Sequence, residues 1–173
     1  SQNKMNYDQL IFCVRNVETA MIPCFIEHIC SYAFFDCVHL KQVEIHPDST
    51  LKTIEKCAFS NTSIDSIMIT QQVTSIGERA FHFCQQLRRV KFIGHSKLKI
   101  IGKEAFSSTL IESISIPLQV EQIGERAFYS CRQLQEVLMS KRSNLQRIDK
   151  EAFCSTLIES MIIPSNVTII GKN

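Results

Sequence analysis

The sequence predicts a mainly β solenoid of about seven coils, with a parallel sheet on one face and an irregular or short-helical return path on the other. Three observations carry that prediction. The phrase IGERAFHFC, Ile76 to Cys84, returns as IGERAFYSC, Ile123 to Cys131, after 47 residues. The Ile that opens it recurs as Ile29, Ile54, Ile76, Ile101, Ile123, Ile148 and Ile170, at spacings that alternate between 25 and 22 residues. An Ala-Phe pair follows at fixed distance, from Ala33-Phe34 to Ala152-Phe153, and each pair precedes a short alternating run: LKQVEI, IDSIMI, LRRVKF, IESISI, LQEVLM and IESMII. Self-similarity at 20 to 50 residues is the mark of stacked units too small to fold alone.

Each run ends apolar, variable, apolar, the period of a strand with one buried face. Val and Ile dominate the inward positions, as strands prefer. Strands so closely spaced, each with an apolar return path, stack in parallel. The Phe residues are expected to form a continuous aromatic spine. Gly77, Gly102, Gly124 and Gly171 follow the anchoring Ile and read as turn residues with positive φ, although Cys30, Glu55 and Asp149 hold that place elsewhere. Pro23, Pro117 and Pro164 close the strands of the short coils, where a missing amide donor is best tolerated. An eroded first coil is read at Val17 to Pro23, led by Phe12. Residues 1–11 are expected to form an amino-terminal segment or partial cap, and 12–173 one solenoid of alternating coils, truncated or open at its C-terminal end.

Charge and hydropathy exclude some function classes. With 19 basic and 17 acidic residues, net +2, nothing points to nucleic acid. No apolar stretch reaches the roughly 18 residues of a membrane helix, and SQNKMNYDQL has no apolar signal-peptide core; no direct membrane insertion is expected of this segment.

The pattern L-x-x-V-x-I with I-G-x-x-A-F-x-x-C-x-x-L resembles the BspA-like branch of leucine-rich repeats, known from cell-surface antigens. It departs from the ordinary leucine-rich pattern in lacking the Asn that ends the strand, with Cys or Thr on the return path instead. The resemblance implies a curved leucine-rich repeat solenoid that binds protein through its sheet, on the cell surface or secreted, with adhesion to host or extracellular matrix proteins as the common role.

Eight cysteines raise disulfides and metal. Cys37, Cys84 and Cys131 fall three residues after the Phe in every second coil, with Thr62, Thr109 and Thr156 in the coils between. At about 4.8 Å per coil, cysteines two coils apart are out of disulfide reach, and they read as buried small apolar residues. The densest ligand-like cluster, Cys24, His28, Cys30, Cys37 and His39, lacks the paired spacing of zinc sites; no metal and no cofactor is expected. No nucleophile elbow, Cys-His pairing or phosphate loop is present, so catalytic residues are none and the chain is read as non-enzymatic.

Outward strand positions are then the place for specificity. The expected binding face comprises Glu44, Met68, Arg89, Lys91, Ser115, Leu138 and Ile162, a mixture of small polar residues, one basic coil and an apolar stripe. The expected partner is a protein ligand, with end-to-end self-association as a second expectation if no further coil caps the sheet edge. An intracellular scaffold or spacer is the alternative reading, because unpaired cysteines suit a reducing cytoplasmic compartment.

Overall fold

The computed structural model describes residues 8–10 and 16–172; the expected Phe12 start of the spine and Cys13 lie outside the described residues. The chain winds as a mainly β parallel solenoid of about seven coils, with no helix among the described residues. Strands alternate between two faces. In chain order they are β1 (Gln9–Leu10), β2 (Thr19–Ile22), β3 (His28–Ile29), β4 (Gln42–Ile45), β5 (Thr53–Ile54), β6 (Ser66–Ile69) and β7 (Ser75–Ile76). There follow β8 (Arg89–Phe92), β9 (Ile100–Ile101), β10 (Ser113–Ser115), β11 (Gln122–Ile123), β12 (Glu136–Leu138), β13 (Arg147–Ile148) and β14 (Ile169–Ile170).

The structure adds a second sheet to the one expected. The outward-reading runs pair in parallel as β2 with β4, β6 with β8, and β10 with β12. The return path carries a continuous eight-stranded parallel sheet, β1-β3-β5-β7-β9-β11-β13-β14, built from two-residue strands that end on the anchoring Ile. Alternating lengths account for the difference. From the anchoring Ile to the inward residue of the next run there are 14 residues in coils 2, 4 and 6 (Ile29 to Val43, Ile76 to Val90, Ile123 to Val137) and 13 in coils 3 and 5 (Ile54 to Ile67, Ile101 to Ile114). A 13-residue path pairs fully with the 14-residue path after it. At the reverse step backbone bridging narrows to bonds such as Asp65 N–H to the Lys41 carbonyl at 3.3 Å and Leu110 N–H to the Leu87 carbonyl at 3.0 Å.

Behind the anchoring Ile the backbone turns by alternating handedness. Non-glycine residues with positive φ recur twice per coil, one before the Ala and one two after the Phe: Arg79 (55°) and Phe83 (61°), Glu104 (52°) and Ser108 (60°). Left-handed backbone costs an L-residue roughly 1–2 kcal/mol, so something must offset it. Every second N–H is turned along the solenoid axis onto the next coil: Arg79 onto the Lys103 carbonyl (2.8 Å), Phe81 onto Ala105 (2.8 Å), Phe83 onto Ser107 (3.0 Å). The intervening amides of Ala80, His82 and Cys84 close local turns. Each donor of this buried bend is thereby satisfied, which outweighs the strain.

The glycines need correction. Among Gly77, Gly102, Gly124 and Gly171 none has positive φ; only Gly94, in a long-coil loop, does, at 64°. The reason for glycine after the Ile is close approach between coils. A Cβ on Gly102 would stand 2.7 Å from the Gly77 carbonyl carbon, and one on Gly124 2.7 Å from that of Gly102. The core behind is a one-dimensional stack. Phe34, Phe59, Phe81, Phe106, Phe128 and Phe153 lie parallel, with neighbouring centroids 4.8 to 5.4 Å apart and planes within 10°, flanked by the fully buried Ala and Ile positions.

Candidate binding face

All seven residues read from the sequence as the binding face are exposed. Strand register arranges most of them in one column, since Met68 pairs with Lys91 and Ser115 with Leu138. Glu44 pairs with Met21, which extends the column into the first coil. Arg89 stands in the adjacent column, opposite Ser66. Ile162 belongs to the IESMII run of coil 7, which forms no strand. Met21, at 68% exposure, is as open as Met68 (58%), Leu138 (51%) and Ile162 (59%). Met21 occupies the same outward position in TAMI, a run whose eroded repeat pattern hides the correspondence.

The face is electrically uneven. Neither Arg89 nor Lys91 has a carboxylate partner among the described residues, while the return path is laced by ion pairs between successive coils. These pairs obey the 47-residue repeat: Lys56 with Glu78 and Lys103 with Glu125, both at 3.2 Å; Arg79 with Glu104 at 2.7 Å and Arg126 with Glu151 at 2.6 Å. Arg79 grips Glu104 with two nitrogens, and this contact first, with nearby charges, holds the Glu104 carboxyl below the usual Glu range. Most return-path charges are thus consumed internally; on the strand side Lys41 pairs with Glu18 and Arg88 with Glu112, while Arg89 and Lys91 are left for solvent or a partner.

The chemistry-bearing side chains elsewhere are committed to packing. Cys84 Sγ donates to the Phe59 carbonyl (3.0 Å) and lies 3.3 Å from Thr62 Oγ1; Cys131 repeats this with Phe106 (3.1 Å) and Thr109 (3.2 Å). Thr62 and Thr109 also donate to those same carbonyls. Burial pushes the Cys84 thiol up to about 11, and Cys131 upward likewise, the opposite of an activated nucleophile. Cys37 is buried at the same register. In the amino-terminal cluster, His28 Nδ1 lies 2.8 Å from Thr53 Oγ1 and Cys24 is exposed. Among the described residues no three His, Cys, Asp or Glu side chains converge as metal ligands, and no helix is long and apolar enough to cross a membrane.

Several solved bacterial proteins share this geometry. A leucine-rich repeat protein from Eubacterium ventriosum superposes with a TM-score of 0.77 over 96% of the chain at 22% identity, and one from Bacteroides ovatus with 0.68 over 90% at 23%. The chain spans 45% of the length of each. The T. pallidum leucine-rich repeat protein matches with 0.73 at 21% identity, over 91% of this chain and 70% of its own. No curated protein sequence matches. The BspA type leucine-rich repeat region matches in six copies, over residues 6–109 and 52–173. With the alternating coils, the Phe stack and this match taken together, the chain belongs to the BspA-type leucine-rich repeat family.

Proposed function

We propose that the chain is a non-enzymatic protein-binding module, a segment of a surface antigen that meets a host or matrix protein through its strand face. The observation that carries this is the exposed apolar column of Met21, Met68, Leu138 and Ile162, interleaved with unpaired charge on a rigid scaffold. Apolar side chains held open to water on an ordered sheet suit a protein partner. The family is one of protein-interaction repeats, and a structural neighbour from Faecalibacterium prausnitzii, at 22% identity and TM-score 0.51, is described as a leucine rich cell surface protein. The buried ladder thiols do not by themselves argue for a reducing compartment, because Cys84 and Cys131 are buried, donate to backbone carbonyls and serve packing. Free thiols open to solvent at Cys24 and in part at Cys30 and Cys154 favour the intracellular scaffold reading.

Surface labelling of intact source cells separates the two locations. For the face itself, the test is binding to an array of purified matrix and serum proteins, comparing the parent with Met68→Asp/Ile162→Asp and with Glu125→Lys on the return path. The strand-face variant should lose affinity about tenfold or more at an unchanged thermal midpoint. Loss in the return-path variant with retention in the strand-face variant would place binding on the other side.

A further inference from the structure

Three of the face residues, Lys91, Ser115 and Leu138, line one groove of about 1040 Å³ across coils 4 to 6. Its origin lies in the coil lengths. Val90 to Ile101 and Val137 to Ile148 each take 11 residues, whereas Ile114 to Ile123 takes nine. The loop around Gly94 to Lys97 lines one side and Met139-Ser140, where the next long loop begins, the other, with Pro117-Leu118-Gln119 between them as the floor. Both long loops are tied to short-coil neighbours: Asn144 Nδ2 donates to Gln119 Oε1 at 3.0 Å, and Lys97 Nζ to Gln72 Oε1 at 2.7 Å.

The chemistry of this groove differs from that of its equivalent one unit earlier. At the position of Leu118 the earlier floor has Gln71, so the floor becomes apolar only over coil 5, where Leu118 and Leu138 are each 51% exposed. The flanking loops change sign along the solenoid: Asp48 in coil 2 is replaced by His95 in coil 4 and Arg142 in coil 6. The lining contains Lys91, Lys97 and Lys99 and no carboxylate. Lys99 is spoken for by Glu121 at 3.2 Å, which leaves Lys91 and Lys97 without a carboxylate partner among the described residues. An apolar floor with cationic walls fits a ligand that alternates carboxylates with apolar side chains. The volume lies at the upper end of small-molecule sites and is open along the coils, which suits a chain segment better than a metabolite. A sulfated or uronate glycan would use the cations but leave Leu118 and Leu138 in water.

We propose that the groove over coil 5 binds an extended segment of a partner protein in which acidic and apolar residues alternate, the carboxylates against Lys91 and Lys97 and the apolar side chains on Leu118 and Leu138. This rests on the reading that the strand face binds protein, and it names the chemistry of the partner. Opposed charge chiefly speeds association and selects the partner, while the apolar floor slows release.

The probe is a fluorescein-labelled octapeptide alternating Glu and Leu, measured by anisotropy beside the same length alternating Lys and Leu, an all-Glu octapeptide and a heparin octasaccharide. The Glu-Leu peptide should saturate the parent protein. Lys91→Glu/Lys97→Glu should weaken it about tenfold or more and flatten its salt dependence, Leu118→Ser should weaken it at unchanged salt dependence, and Arg132→Glu, away from the groove, should not matter. Equal binding of the Lys-Leu peptide, or no loss in Lys91→Glu/Lys97→Glu, overturns the proposal. Tighter binding of heparin or all-Glu than of the Glu-Leu peptide, indifferent to Leu118→Ser, also overturns it in favour of a plain anion site. Failure of the peptide while Met68→Asp/Ile162→Asp still abolishes binding to a matrix protein removes the groove and leaves the strand face standing; failure of both removes both.

Discussion

The return path and the strand face are made from the same repeats, yet one carries an unbroken eight-stranded ladder and the other breaks into pairs. The return-path strands sit directly before the Ala-Phe turn, so their register is set by the tightest part of the coil: the Phe stack and the cross-coil amides at Phe81, Phe106 and Phe128. The strand-face runs come after a path that alternates between 13 and 14 residues. Uniform local geometry propagates along a solenoid, whereas alternation accumulates as breaks, recessed loops and unpaired charge. Stability therefore concentrates on the return path and its spine, and individuality on the strand face.

The largest test of that division is the spine. Phe106→Ala removes a ring stacked on both sides, 5.2 Å from Phe81 and 5.4 Å from Phe128, and should cost roughly 3–5 kcal/mol, because neighbouring coils held by backbone ladders cannot collapse into the cavity. Leu118→Ala, on the exposed groove floor, should change stability by no more than about 0.5 kcal/mol. Denaturant midpoints at equal slopes read both; comparable losses would mean that the strand face is as structural as the spine.

Next comes the approach of coil to coil. Gly102→Ala puts a methyl 2.7 Å from backbone that has no flexible end to move, an overpacking expected to cost about 1–3 kcal/mol. Gly94→Ala, in the groove wall with φ of 64°, meets mainly the Gln71 side chain and should cost about 1 kcal/mol through backbone strain alone. If the order of the two midpoints were reversed, close packing would not be the reason for glycine after the Ile.

The fold was legible because its signal is one-dimensional. Ala-Phe, the anchoring Ile and the Cys-Thr alternation each recur at fixed spacing, and stacked coils turn fixed spacing into contact. What stayed hidden depends on relations between coils. The glycines invited a positive-φ reading because a lone Gly gives no sign of the backbone above it; the left-handed positions fell instead on Arg79, Phe83 and Ser108, whose letters say nothing of it. The groove needed the nine- and 11-residue loops placed side by side. The ion-pair ladder could have been found, since Lys56 and Lys103, Arg79 and Arg126, Glu104 and Glu151 are each 47 apart, but which Glu each cation meets is a matter of register.

That ladder gives a smaller and pH-dependent effect. Arg79 is partly exposed, so its pair with Glu104 should be worth about 1 kcal/mol or less. The Glu104 carboxyl is held below its usual value, so its contribution is present above the ordinary Glu pKa of about 4.3 and is lost as pH falls through the depressed native value. Glu104→Gln should therefore be less stable than the parent at pH 7, and the gap in thermal midpoint should close as acid is added below pH ~4. His82, whose pKa burial lowers and the Glu104 charge raises, also destabilises the native state on protonation, so the gap is read below pH ~4, where the Glu104 charge is lost. A gap unchanged at low pH would assign the loss to packing.

The smallest expected effect is a gain, and it sharpens the comparison on the strand face itself. The short-coil runs are followed by Pro23, Pro117 and Pro164, each of the four equivalent residues accepting a turn bond from an amide three residues on; coil 3 alone has Thr70 there, accepting from Val73 at 3.2 Å. Thr70 is buried and its Oγ1 has no hydrogen-bond partner. The backbone at this place already suits proline in the three sister coils, and Ile69 before it is in a strand, the conformation a following proline prefers. Thr70→Pro removes an orphaned hydroxyl and narrows the unfolded ensemble, and should stabilise by about 0.4–1 kcal/mol. Thermal and denaturant midpoints should both rise, with the groove over coil 5 still binding its peptide as before. A loss of stability would show that Thr70 supports β6 in a way its sister positions do not, and that the short coils are less interchangeable than their shared length implies.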